Sequence, residues 1–270
     1  MQPSTASPDR IRFDQPKAGL QRLSARFGGH AYDLHRHETY AVGLTIWGTQ
    51  SFHYRGSLRT SRAGQVMIIH PDEAHDGHAG VDRGFAYRML YVDPGAVGAA
   101  LEDAPPPFVP EVVTEDPVLS ALLGEAFGDF PRPLEPLAQD AIVGRLAERL
   151  AARSDGRRLR PGPAARRAVA LARDFLDAEA HRTVASEELE RLSGLDRFAL
   201  ARHFRTVHGT SPHRYQVGRR LLEAQRLIAE GMKPAKAAAT TGFADQSHLT
   251  RHFASRFGVT PGRWATLARA

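Results

Sequence analysis

The chain has no cysteine among its 270 residues. Disulfides, thiolate-held zinc and a thiol nucleophile are thereby excluded, and the composition fits a reducing compartment. Nowhere do the ~18 consecutive apolar residues of a membrane-crossing helix occur. The opening stretch, Met1 to Pro16, is polar, carries Pro3, Pro8 and Pro16, and lacks the apolar core of a signal peptide. The expected location is the cytoplasm, with no membrane partner. Neither a glycine-rich phosphate loop nor a serine-nucleophile motif stands out, and Gly28-Gly29 reads as a turn only. What remains is ordinary for a globular protein, with 42% hydrophobic and 24% charged residues and length enough for two modest domains.

The charge is unevenly placed. The net charge is +6, yet Arg157–Ala270 holds 21 Lys and Arg against 10 Asp and Glu, a balance of +11. Residues 1–156 hold 15 basic and 20 acidic side chains, a balance of −5. A basic C-terminal part behind an acidic front is the electrostatic footprint of a polyanion binder.

Three blocks follow one another. From about Ile11 to Pro94, short runs rich in β-branched and aromatic residues predict strands: Tyr40–Trp47, a turn at Gly48-Thr49, Ser51–Tyr54 closed by Arg55-Gly56, then Gln65–Ile69 and Phe85–Val92. Pro71, Asp76-Gly77 and Gly80 read as separators. Many short strands favour a sandwich or barrel. After Pro105-Pro106-Pro107, the segments Pro117–Phe130 and Pro136–Arg153 have helical apolar spacing. In the second, Leu137, Ala141, Ile142, Leu146 and Leu150 form a stripe that serves either a second copy of the chain or its own barrel. Ser154–Pro163 reads as a linker, and the rest is helical. The blocks are placed at 10–110, 111–156 (a helical linker or dimerisation region) and 163–270.

The last block is internally duplicated. Leu200-Ala201-Arg202-His203-Phe204 recurs as Leu249-Thr250-Arg251-His252-Phe253. Gly209, Pro212, Arg214 and Tyr215 recur in the same register as Gly258, Pro261, Arg263 and Trp264. Upstream, Gly194-Leu195 corresponds to Gly242-Phe243, each pair between a short helical segment (Ser186–Leu192; Ala235–Thr240) and a longer one (Asp196–His208; Asp245–Phe257). Helix, glycine turn, helix is the helix-turn-helix signature. Glycine suits the left-handed residue that ends a helix, and Asp196 and Asp245 stand where an N-cap belongs. Leu200/Phe204 and Leu249/Phe253, four apart, should pack inward. The opposite faces then carry the candidate DNA-reading residues: Phe198, Ala201, Arg202 and Arg205 in the first unit, and Gln246, Ser247, His248, Thr250 and Arg251 in the second. Arginine reads guanine bidentately, glutamine pairs with adenine, and apolar or hydroxyl groups meet the thymine methyl. A helix over Pro212–Glu230 joins the units and lets one chain address adjacent major-groove segments.

Ala164–Ala270 resembles the DNA-binding domain of AraC/XylS-type transcriptional regulators. The resemblance is carried by Leu189–Phe204, Gly209–Tyr215, Arg220–Ile228 and Gly242–Trp264. It implies seven helices and base contacts from Phe198, Ala201, Arg202, Gln246, His248, Thr250 and Arg251. One departure is Ala237-Ala238-Ala239, where the family usually places a bulky aliphatic, so looser packing of the second unit is expected. The front block resembles the cupin-like sensor domain of the same regulators through His35, His37, Gly43, Phe52, Gly56, Gly64 and Pro71-Asp72-Glu73 with His75. The fold expected is α+β in two domains: a cupin-like jelly-roll barrel with a helical linker, then an all-α double helix-turn-helix.

Two readings of the sensor stay open. His35 and His37 on one strand face, with Glu73 and His75 from another strand, are metal-ligand candidates. Alternatively the same groups, with Trp47, line a small-molecule pocket or hold a turn. Cupin metal enzymes usually carry a glutamate four residues after the second histidine, where this chain has Ala41. The preferred reading is therefore a non-enzymatic sensor without a cofactor. Expected partners are double-stranded DNA, a small-molecule effector, RNA polymerase and a second copy in a homodimer. The competing readings are a cupin-type metal enzyme with an appended basic domain, and an architectural DNA binder without a ligand.

Overall fold

The computed structural model of the chain describes residues 9–14, 19–80, 84–102, 104–154 and 161–269. Most of the expected linker, Ser154–Pro163, and of the polar opening stretch lies outside them. Among the described residues, nine strands build the front domain: β1 (Arg10–Phe13), β2 (Leu20–Phe27), β3 (His30–His35), β4 (Tyr40–Tyr54), β5 (Ser57–Arg62), β6 (Val66–Ile69), β7 (His75–Ala79), β8 (Phe85–Val92) and β9 (Val113–Thr114). Three helices belong with them: α1 (Pro94–Ala100), α2 (Pro117–Ala126) and α3 (Pro136–Ala152). The rear domain is all-helical: α4 (Pro163–Ala178), α5 (Ser186–Ser193), α6 (Arg197–His208), α7 (Pro212–Ala229), α8 (Pro234–Thr240), α9 (Gln246–Phe257) and α10 (Pro261–Arg269).

The strands form two antiparallel layers joined through β4. Its first half pairs with β8 and β6, in a layer ordered β1-β2-β8-β4-β6-β9; its second half pairs with β5 and β7, and β7 pairs onward with β3. The expected turn at Gly48-Thr49 is therefore not one. A register shift between Thr45 and Trp47 bends the strand, and Gly48 takes φ +73° where an added Cβ would lie 2.2 Å from the Gly84 carbonyl oxygen. Only glycine passes there, and the chain crosses from one layer to the other instead of reversing. Asp76-Gly77 does not break the chain either; both residues lie inside β7. Reversal comes at Arg55-Gly56, both at positive φ, in the two-residue hairpin that joins β4 to β5.

Side-chain alternation explains the cores. Met67, Ile69, Tyr87 and Met89 point between the layers, while Val66, Ile68, Leu90 and Val92 point outward to α2 and α3. Strand β6 is buried on both faces, which is why it reads as an unbroken apolar run. The stripe on α3 is spent in this second core: Ile142, Leu146 and Leu150 are sealed against the barrel, whereas Leu137 is 82% exposed. Arg22, 1% exposed, pins α2 to β2: its Nε donates to Asp14 Oδ2 at 2.6 Å, and its Nη1 and Nη2 donate to the carbonyls of Ala126 and Arg132.

In the rear domain, the first helix-turn-helix unit closes its own core from Val169, Ala172, Leu176, Leu189, Leu200, Phe204 and Tyr215. The second unit does not. Leu249, Phe253, Trp264 and neighbours from α7 and α8 merge into the same core as the barrel interior. The front domain thus sits directly on the second unit.

Candidate DNA interface and interdomain site

Both units start their second helices as the sequence predicts. Asp196 accepts from the backbone N–H groups of Phe198 and Ala199, and Asp245 accepts from that of His248 at 2.7 Å. Gly194 and Gly242 hold φ +69° and +81°; at Gly242 an added Cβ would stand 2.0 Å from the His181 carbonyl oxygen. Leu200, Phe204, Leu249 and Phe253 are buried. On the outer faces, Phe198 is 78% exposed, Arg202, Arg205, Gln246, Ser247 and Arg251 are exposed, and Ala201, His248 and Thr250 are half-buried. Arg202, Arg205 and Arg251 make no side-chain ion pair with the described residues, whereas Arg197 is drawn back onto Glu187 and Glu190 of α5. His248 is partly engaged at home: its ring meets Phe243 edge-on and packs on His252.

One residue of α7 ties the two units together. Arg220, buried, donates from Nε to the Ala180 carbonyl, from Nη2 to that of Arg182, and from Nη1 to that of Gly242 at 2.9 Å. Gln216 also donates to Glu179 and Arg182. The turn before α5 and the turn before α9 are thus held by one guanidinium.

The front domain grips the C-terminal ends of both α6 and α9. His208, the last residue of α6, lies 3.6 Å from the Asp93 carboxylate. At the end of α9, buried Arg256 pairs with Glu38. Backbone N–H groups of Asp33 and Arg36 donate to the carbonyls of Gly258 and Ser255, each at 2.9 Å. Arg214 pairs with Asp72, and Gln21 donates to Gln225 across the seam.

Between the domains lies a cavity of about 680 Å³, mouth included. Leu20, Leu23, Leu222, Phe257 and Trp264 give it an apolar wall, and Gln21, His35, His37, Asp93, Arg219 and Arg256 a polar one. Among the lining residues, His37 Nε2, Arg256 Nε and Trp264 Nε1 are buried without a hydrogen-bond partner, and Arg256 Nη1 meets only its ion pair with Glu38. Burial pushes the Arg256 guanidinium below its ordinary value, to about 9. Arg219, Gln225, Arg256 and Trp264 join the site although they were not legible as site residues in the sequence. One signal was available, because Arg256 stands where the first unit has Val207, a charge in register with the buried face of α9.

Of the sensor residues expected from sequence, His35, His37 and His75 come together. Each donates Nδ1–H to a main-chain carbonyl: His35 to Asp33 at 2.8 Å, His37 to Thr39 at 2.9 Å and His75 to Glu73 at 3.0 Å. Burial and mutual repulsion hold His35 and His37 well below the ordinary imidazole range, and burial brings His75 down to about 4. Glu73 and Trp47 stand apart. The Glu73 carboxylate pairs with Arg55, and Trp47, 40% exposed, lies under the Arg26 guanidinium.

A sensor barrel seated on a double helix-turn-helix defines a one-chain transcription regulator. Comparison with known proteins places it further. Residues 17–147 match the AraC-like ligand binding domain family, and residues 189–266 match a helix-turn-helix domain family. The uncharacterized HTH-type transcriptional regulator YbfI of Bacillus subtilis is 26% identical over 231 residues, covering 83% of this chain and 84% of that one. The probable transcriptional regulator LumQ of Photobacterium leiognathi is 28% identical over 102 residues, 37% of this chain and 41% of that one. Among solved structures, ToxT from Vibrio cholerae shares the fold with a TM-score of 0.66 at 10% identity, over 92% of this chain and 98% of that one. The chain is a transcriptional regulator of the AraC type, with a ligand-binding sensor domain and a DNA-binding domain.

Proposed function

We propose that α6 and α9 enter successive major-groove segments, with Arg202, Arg205 and Arg251 supplying the charge-assisted base and phosphate contacts, and that an amphiphilic organic acid in the interdomain cavity controls how the second unit is held. The observation that carries the effector reading is the pairing of an apolar wall with unmet buried donors, Arg256 Nε and Trp264 Nε1. A carboxylate satisfies such donors and an alkyl or aryl body suits the wall. A ToxT structure of the same fold, TM-score 0.63 at 11% identity, was solved with an unsaturated fatty acid bound, which fits this ligand class. The acid would compete with Glu38 for Arg256 and shift the population of domain arrangements. No catalytic role is assigned to the barrel. The regulator works in the cytoplasm on chromosomal DNA and contacts RNA polymerase. A homodimer would use the outward face of α3 around exposed Leu137, and sedimentation at micromolar concentration tests it, a strict monomer refuting it.

The effector reading is tested by titrating medium- and long-chain carboxylates against the full-length protein and following thermal melting and DNA affinity together. An acid should raise the melting temperature and change affinity, and Arg256→Gln should abolish both effects. No response from any acid, or the same response in the variant, overturns it.

A further inference from the structure

We propose that His35, His37 and His75 form a binding site for one divalent transition-metal ion. The three side chains are buried, and one ring nitrogen of each lies within 4.8 Å of the others'. Among the described residues they are the single such group of three histidines or acids. The second observation is the hydrogen-bond pattern behind them. A carbonyl oxygen only accepts, so the contacts to Asp33, Thr39 and Glu73 place the proton on Nδ1 of all three rings and leave Nε2 with its lone pair. Backbone-anchored Nδ1–H is the outer-shell arrangement that orients metal-ligating histidines. Of these lone pairs, that of His37 is buried without any partner. An unmet buried acceptor is costly, and a cation satisfies it.

The donor set decides the kind of ion. No carboxylate joins the group: Glu73 is turned to Arg55, Glu38 to Arg256, and Ala41 offers nothing. Three neutral imidazoles favour Zn²⁺, Cu²⁺, Ni²⁺ or Fe²⁺ over Mg²⁺ and Ca²⁺. Nitrogens around a tetrahedral Zn²⁺ at ~2.1 Å stand ~3.4 Å apart, so the group, held within 4.8 Å, closes in as the ion binds. Three protein ligands leave the fourth position open. The site lies close to the domain seam, since an added Cβ on Gly258 would come within 2.8 Å of His35 Nδ1. This inference is independent of the organic-acid reading, and either can stand without the other.

The test uses full-length protein stripped with a chelator and then titrated with Zn²⁺ in a calorimeter, with Co²⁺ as a spectroscopic probe. One Zn²⁺ per chain is expected, with a raised melting temperature and Co²⁺ bands of a four-coordinate site. His37→Gln and His75→Gln should each weaken binding by more than the ~10–100-fold that loss of an outer-shell partner costs. His53→Ala and His78→Ala, which alter a surface ring pair 6.1 Å apart, should leave it unchanged. Circular dichroism of metal-free variants separates a lost ligand from a lost fold, and the Co²⁺ spectrum of the unaltered chain reports the site without any substitution. Absence of stoichiometric uptake, a Co²⁺ spectrum unchanged from the aquo ion, or equal Zn²⁺ affinity in a His35/His37/His75→Gln triple variant overturns the proposal.

Discussion

At the scale of single residues, the molecule places several charges where water cannot reach them. Arg22 is the clearest case, since its guanidinium is shared by one carboxylate and two carbonyls under α2. Arg22→Ala leaves those carbonyls and Asp14 without their donor, and a loss of ~3–5 kcal/mol is expected in urea unfolding. The three buried histidines set a pH dependence in chelator-treated protein. Their folded-state values lie below the ordinary 6.5, about 4 for His75, so the unfolded chain binds more protons between those limits. Stability is then fully present above pH ~6.5 and falls as pH drops toward 4, by ~1.4 kcal/mol per pH unit for each imidazole that titrates only when unfolded. The urea midpoint measured across that window should show this slope, and the triple glutamine variant should flatten it. At the DNA face, Arg251→Ala should cost ~1–3 kcal/mol on a specific duplex and relax its sequence preference. Equal losses on specific and random duplexes would show that Arg251 touches phosphate alone. Affinity should also fall steeply with salt as arginines release counterions.

At the scale of elements, the helices were the more legible half. The duplicated Leu-x-Arg-His-Phe register, the glycine turns and the aspartate caps predict α6 and α9 to within a residue of where they lie, because each cue acts locally. Asp196→Ala should lower the melting temperature through the two amides it leaves uncapped. The strands were harder. Strand β7 carries Asp76-Gly77 and so looks like a break, yet the strand runs through it, and the lack of a side chain at Gly77 leaves room for the Tyr32 ring, which lies 3.3 Å from where a Cβ would stand. The continuity of β4 through Gly48 depends on the backbone of Gly84, distant in sequence. The α3 stripe was ambiguous for the same reason: its period announces a buried face but not what covers it. Leu146→Ala should destabilise by ~2–5 kcal/mol, the range for a sealed core leucine.

At the scale of the whole molecule, the outward faces of α6 and α9 could be inferred from sequence, and the seam could not. Arg219, Arg256 and Trp264 meet Gln21, His37 and Asp93 only because the barrel docks on the second unit, and no local pattern encodes that docking. Glu38→Gln removes the partner of Arg256 and should loosen the docked arrangement, seen as faster proteolysis or altered small-angle scattering without effector. An unchanged profile would mean that the backbone contacts at Ser255 and Gly258 suffice.

The guanidinium of Arg220 bears on which promoters the regulator accepts. With one side chain fastening the turn ahead of α5, at the start of the first unit, to the turn ahead of α9 in the second, the angular phase of the two units about the double helix is a property of the protein. Each base pair inserted between two half-sites rotates one against the other by roughly 35°. Operators for this regulator should therefore keep a constant number of base pairs between half-sites, and a single inserted pair should weaken binding more than many single mismatches do.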